Sequence, residues 1–227
     1  MSDAVTEGID VENVASWLYK HVSGVNPPLK YQLIAGGHSN LTYRVEDQEE
    51  NLYVLRRPPL GHVLATAHDM AREHRIISAV GNTDVPVPPT LGVCEDDGVN
   101  GAPFYVMEYV EGEVLHSDAE ATLVPVSERM DLSRQVVEVL AELHAIEPED
   151  IGLGDLAKRE DYLGRQLRRW SRQWEQSKTR ELEAMEEVQD LLERRKPEQI
   201  GSTIVHGDYR LGNMLTRSGR ILAVLDW

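Results

Sequence analysis

Val14, Leu18 and Val22 recur at helical spacing behind Asp10, whose short carboxylate suits a helix N-cap, and Gly24 is placed to stop that helix. From Leu29 the period changes. The runs Tyr31 to Ala35, Leu41 to Val45, Leu52 to Arg56, Thr90 to Cys94 and Phe104 to Tyr109 are short and β-rich, with turns containing Gly, Asp and Asn between them. They predict a small antiparallel sheet. One helix over about residues 65–80 interrupts it, its apolar stripe formed by Ala67, Met70, Ala71, His74 and Ile77. Gly81-Asn82 ends this helix, and Pro86-Val87-Pro88-Pro89 carries the chain back to the sheet.

Beyond Gly112 the pattern becomes helical. Leu132, Val136, Val139, Leu140 and Leu143 make a one-sided stripe that predicts a helix facing a second core. Leu163, Leu167, Trp170 and Trp174, then Leu182, Met185 and Leu192, stand on a background dense in Arg and Glu, as expected of two amphipathic helices with solvated outer faces. Ile204-Val205 and Ile221 to Leu225 read as short buried strands. The change of period divides the chain at about residue 110, into 1–110 and 111–227. No internal repeat or low-complexity tract occurs.

The 227 residues suffice for one large or two small cores, and 41% hydrophobic with 27% charged residues is a globular balance. No apolar run approaches the roughly 20 residues of a membrane span, and Met1-Ser2-Asp3-Ala4 lacks the basic and apolar regions of a signal peptide, so the expected location is cytoplasmic. The single cysteine, Cys94, excludes an internal disulfide framework and a Cys-based zinc cluster. A net charge of -16 repels nucleic acid and anionic membrane surfaces. Phosphate binding, where it occurs, must then be local: backbone N–H groups, a few basic side chains or a metal.

One segment concentrates chemistry. His206-Gly207-Asp208-Tyr209-Arg210-Leu211-Gly212-Asn213 follows the apolar Ile204-Val205, and after Met214-Leu215-Thr216 and a Ser218-Gly219 turn comes Ile221-Leu222-Ala223-Val224-Leu225-Asp226. Two carboxylates and an amide are thereby delivered to one end of a hairpin. Phosphoryl transfer needs such a set, a carboxylate to orient or deprotonate a hydroxyl and oxygen ligands to hold Mg2+ on nucleotide phosphates. The interval from Asp208 to Asn213 is also that of the protein kinase catalytic loop. Taken singly, such Asp and Asn residues also cap turns. Upstream, Gly36-Gly37-His38-Ser39-Asn40 joins the first two strands, where glycine backbone can approach a phosphate or simply make a turn. Glu73, flanked by Met70, Ile76 and Ile77, is a charge among apolar neighbours and wants a partner.

His-Gly-Asp, four residues, Asn, and then a strand ending in Asp-Trp resembles the aminoglycoside phosphotransferase and choline kinase-like family, with the resemblance running from about Tyr31 to Trp227. It implies an α+β, protein kinase-like two-lobed fold, with a small antiparallel β-sheet N-lobe and a mostly helical C-lobe that is incomplete here. It implies Asp208 as the catalytic carboxylate, His206 as support for the loop, and Asn213 and Asp226 as Mg2+ ligands. Gly36, Gly37, Ser39 and Asn40 would cover the phosphates of ATP. Arg56 on the third strand would pair with Glu73 and touch phosphate, where protein kinases carry Lys; Arg57 is the competing candidate. Met107 would back the adenine pocket, with the backbone of Glu108 and Val110 bonding the base.

Val54-Leu55-Arg56-Arg57-Pro58-Pro59, Ala67-His68-Asp69, Arg72-Glu73, Tyr162-Leu163 and Trp170 resemble the branch of phosphotransferase domains associated with acyl-CoA dehydrogenases. That branch hints at a hydroxylated acyl thioester or similar metabolite as acceptor. In the family the acceptor pocket lies largely in helices after the Asp-Trp strand, so the chain is expected to stop before that pocket is complete. The reading is an ATP- and Mg2+-dependent kinase of a small-molecule hydroxyl; a non-catalytic nucleotide-binding module is the alternative. A protein kinase fits less well, because His-Gly-Asp and Asp-Trp stand where His-Arg-Asp and Asp-Phe-Gly would.

Overall fold

The computed structural model describes residues 6–36, 40–61 and 69–227. They form two compact units: the chain up to Ala145 joined by Val205–Trp227, and Ile146–Ile204.

In the first unit, strands β1 (Lys30–Ala35), β2 (Leu41–Glu46), β3 (Leu52–Arg57), β4 (Thr90–Cys94) and β5 (Phe104–Glu108) form an antiparallel sheet of order β1-β2-β3-β5-β4. Period-two alternation gives this sheet two apolar faces. Tyr43, Val45, Tyr53, Leu55, Phe104 and Val106 pack with Val14, Leu18 and Val22 from the segment of helix α1 (Val11–His21). Val54, Tyr105 and Met107 point the other way, onto Met70 and Ile77 of helix α2 (Met70–Val80). Each such buried side chain contributes about 1.5–3 kcal/mol. Register within β3 is fixed by this, because a one-residue slip would turn both apolar sets inside out.

Helix boundaries follow their caps. Asp10 accepts from the Asn13 N–H at 3.1 Å, and Asp69 caps α2 by accepting from Arg72 at 2.9 Å. Helix α1 stops at His21 rather than near Gly24, because Val22 turns extended to bury its side chain; Gly24, at φ +84°, serves the following turn. The expected start of α2 around Ala65 and Ala67 lies outside the described residues. A four-residue helix α3 (Asp97–Asn100), capped by Asp96, joins β4 to β5, and β5 ends at Glu108, one residue earlier than expected.

After β5 the chain passes Gly112 and pairs through Glu113 with Thr216, N–H to carbonyl in both directions at 2.9 and 2.8 Å. A Cβ on Gly112 would come within 3.1 Å of Leu215 Cβ and 3.3 Å of the Thr216 carbonyl, tighter than an ordinary contact, so glycine favours this approach. Helices α4 (Asp118–Ala121) and α5 (Val126–Ala145) follow; α5 buries Leu132, Val139 and Leu143. The hairpin β6 (Met214–Arg217) and β7 (Arg220–Val224) is anchored to α5 by Gln135, whose Oε1 accepts from the Ile221 N–H at 2.9 Å. Ile204 is buried and Val205 is exposed, and neither residue is in a strand.

In the second unit, helices α6 (Tyr162–Ser177) and α7 (Glu183–Arg194) are the expected amphipathic pair. Asp161 ties them together by accepting from Arg168 at 2.9 Å and Lys196 at 3.0 Å. Among the described residues, no helix is long and apolar enough to cross a membrane.

Candidate active site

The loop before β6 is held by its own polar groups. Gly207, at φ +92°, lets the chain turn sharply between His206 and Asp208. His206 Nδ1 accepts from the Asp208 N–H at 3.2 Å, and Nε2 lies 2.8 Å from the Leu225 carbonyl, so the proton sits on Nε2. Its ring packs against Trp227 with centroids 4.8 Å apart. Burial lowers the imidazole pKa, which keeps it neutral and able to accept at Nδ1.

Asp208 is exposed. Asn213 Nδ2 donates to its carboxylate at 2.8 Å and to its carbonyl at 3.0 Å, and Arg210 Nε reaches the same carboxylate oxygen at 3.2 Å. Asn213, with Arg210 behind it, holds the carboxyl below the usual carboxylate range. Both interactions of the Asn213 amide nitrogen go to Asp208, which leaves its side-chain oxygen as a group that could ligate a cation. Leu225 joins this loop to the end of β7: its N–H donates to the Asn213 carbonyl at 2.8 Å while its carbonyl meets His206. The next residue, Asp226, has φ +65°, a left-handed conformation unusual outside glycine.

Arg56 Nη1 lies 3.2 Å from Glu73 Oε1, and Nη2 is ion-paired with Asp226 Oδ1. Burial works against the Arg56 charge, but Glu73, Tyr105 and Asp226 together outweigh it and raise its pKa. Burial pushes Glu73 upward while Arg56 pulls it down. Asn40 Nδ2 reaches Glu73 Oε2 at 3.4 Å. Arg57 is committed elsewhere: on the opposite face of β3 it donates to the carbonyls of Pro58 at 3.2 Å, Asn100 at 3.3 Å and Gly8.

Met107 is buried beside Val54, Met70 and Trp227. The Glu108 N–H is taken by the Pro89 carbonyl at 2.8 Å, so a bond from this residue to a base would come from its carbonyl. Val110 is half-buried just past β5. Gly36 lies against Leu41, where a Cβ would meet Leu41 Cδ2 at 2.7 Å; Gly37 and Ser39 lie outside the described residues. The structure thus joins Asp208, Asn213 and His206 in one network, and Arg56, Glu73, Asn40 and Asp226 in another, linked through Leu225. Two participants escaped the sequence reading. Arg210 stood inside the motif with no mark to separate it from a surface arginine, and Tyr105, opposite Arg56 in the β3–β5 register and buried beside Glu73, read as ordinary core.

A five-stranded antiparallel sheet with a strand-three Arg paired to a helix Glu, continuing into a loop-and-hairpin unit, is the kinase-like α+β fold. The chain belongs to the phosphotransferase enzyme family (APH), which it matches over residues 30–227. It is 36% identical over 202 residues to the mouse (Mus musculus) acyl-CoA dehydrogenase family member 10, covering 88% of this chain and 19% of that protein. A Ralstonia eutropha protein classed with the aminoglycoside phosphotransferases superposes with a TM-score of 0.81 at 35% identity, over 96% of this chain and 64% of that one. The streptomycin–ATP–APH(2″)-IIa ternary complex shares the fold, with a TM-score of 0.66 at 20% identity over 96% of this chain and 70% of that one.

Proposed function

We propose that this chain is the nucleotide-binding and catalytic part of an ATP- and Mg2+-dependent kinase that moves the γ-phosphate to a hydroxyl of a small molecule. The observation that carries the reading is the joining of Asp208, Asn213 and Asp226 through Leu225, with the Arg56–Glu73 pair bonded to the last of them. The likeness to a fold seen with ATP and streptomycin supports it.

The donor set suits magnesium. Asn213 and Asp226 offer two hard oxygen donors, one of them anionic, which matches a cation that keeps several waters and takes its remaining ligands from phosphates. Bound there, the cation would neutralise charge developing on the transferred phosphoryl group. The chain's own residues do the rest. Asp208, ionised and clamped by Asn213, accepts a hydrogen bond from the acceptor hydroxyl and directs its lone pair at phosphorus. His206 keeps the loop in register by bonding one segment through each ring nitrogen. Arg56, braced by Glu73, presents its guanidinium to phosphate oxygens; its Nε has no partner among the described residues. Gly36 and Asn40 face the phosphates, and Met107, Glu108 and Val110 receive the base; the roles expected of Gly37 and Ser39 fall outside the described residues. The work is done in the cytoplasm.

Calorimetry with ATP tests the binding half: affinity should fall on adding EDTA or on Asp226→Ala, and a Kd indifferent to both sinks the metal assignment. An ADP-release assay over hydroxyacyl thioesters, choline and amino sugars tests the transfer half, with ATP binding and no transfer to any acceptor as the outcome that favours a non-catalytic module.

A further inference from the structure

Arg56 and a cation have claims on the same atoms. The guanidinium is held from within by Glu73, with 12% and 6% of the two side chains exposed, and its outer nitrogen reaches Asp226, of which 46% is exposed. A lysine ammonium is a single point, whereas the flat fork of arginine spans two carboxylates at once. Asp226 is presented to it by a left-handed backbone that persists only where surroundings hold it. The other carboxylate of the site is covered in the same way, Asp208 by Arg210 Nε at 3.2 Å. Among the described residues no cluster of three or more His, Cys, Asp or Glu side chains is placed to hold a metal.

We propose that Arg56 is a placeholder on Asp226, competing with the divalent cation for that carboxylate, so that the chain takes its cation together with a nucleotide and not alone. This rests on the nucleotide reading of the site. A free dication arriving at Asp226 meets a fixed positive charge bonded to the same group, and like charges at this range oppose each other strongly. A polyphosphate changes the balance twice over: it gives the guanidinium new oxygen partners outside Asp226 and adds ligands for the cation. Cation and nucleotide are therefore thermodynamically coupled through Arg56, each raising the affinity for the other by the same factor.

Mn2+ is the probe, counted as free ion by electron paramagnetic resonance, with and without the non-hydrolysable ATP analogue AMP-PNP. For the wild-type chain, Mn2+ affinity should rise at least about tenfold when AMP-PNP is present. Arg56→Gln combined with Glu73→Gln removes the competing charge without leaving a buried carboxylate unpaired. In that variant Mn2+ alone should bind at least about tenfold more tightly than to the wild type, while AMP-PNP binds more weakly and the coupling shrinks toward unity. The two affinities move in opposite directions, which a general loss of structure cannot produce. Arg56→Lys covers the case in which the double variant fails to fold: an ammonium held by Glu73 releases Asp226, and Mn2+ affinity without nucleotide should again increase. Unchanged Mn2+ affinity in the folded variants, or equal wild-type affinity with and without AMP-PNP, overturns the proposal. Failure of the wild type to bind AMP-PNP at all overturns the nucleotide reading, and the placeholder with it.

Discussion

Arg56 and Arg57 are adjacent, alike in chemistry and opposite in role, because successive strand residues face opposite sides of a sheet. Arg56 faces Glu73 and Asp226; Arg57 is buried among backbone carbonyls of Gly8, Pro58 and Asn100. Arg56→Ala should therefore weaken ATP binding, read by calorimetry. Arg57→Ala should leave affinity nearly unchanged and lower folding stability by about 1–3 kcal/mol in urea titrations, since it strands buried acceptors. Equal losses of affinity would contradict this division. For Asp208→Asn the shape is kept and the charge removed: ATP binding should persist, while in a version extended through the helices expected to complete the acceptor pocket phosphoryl transfer falls about 10²–10⁴-fold in the ADP-release assay.

Among the elements, the β6–β7 hairpin decides whether the site exists. Its Thr216 pairs with Glu113, Ile221 is held by Gln135 of α5, and Leu225 by Asn213 and His206. Gly112 makes the first of these contacts possible. Gly112→Ala places a methyl 3.1 Å from Leu215 Cβ and 3.3 Å from a carbonyl, neither of them a flexible tip, so the strand must shift. The expected cost is about 1–3 kcal/mol in thermal or urea unfolding, with a larger loss of ATP affinity than Arg57→Ala causes, because Asp226 moves with the hairpin. How much of this was legible varied by element. The five sheet strands announced themselves by alternation, whereas Ile204-Val205 had the composition of a strand yet pairs with none among the described residues.

The whole chain is acidic, at -16, and in its second unit one of the carboxylates, Asp161, gathers two cations. Asp161 accepts from Arg168 and Lys196, which hold it down to about 2, and Gly164 leaves room for it, since a Cβ there would lie 2.3 Å from Asp161 Oδ1. An unfolded Asp titrates near about 3.9. A depressed folded-state pKa stabilises fully above the unfolded value and loses that contribution as pH falls through the folded one. The stability advantage of wild type over Asp161→Asn should thus be complete above about pH 4 and vanish as the pH approaches about 2, followed by circular dichroism of the helices. A difference independent of pH would show that the ion pairs are not what Asp161 contributes.

Local pattern determined the strands, the amphipathic helices, the Asp10 cap and the spacing that marks Asp208, Asn213 and Asp226, because periodicity and intervals are properties of the chain itself. Alternation also separated Arg56 from Arg57 in principle, though not which of them met Glu73. Only the tertiary structure decided that, together with the arginine bridge to Asp226, the Arg210 contact to Asp208 and the burial of Tyr105 beside Glu73. Arg56 and Asp226 stand 170 positions apart. No local preference in a polypeptide can specify such a contact, which arises when the apolar faces of the sheet, α2 and the hairpin find their partners and carry their charges with them.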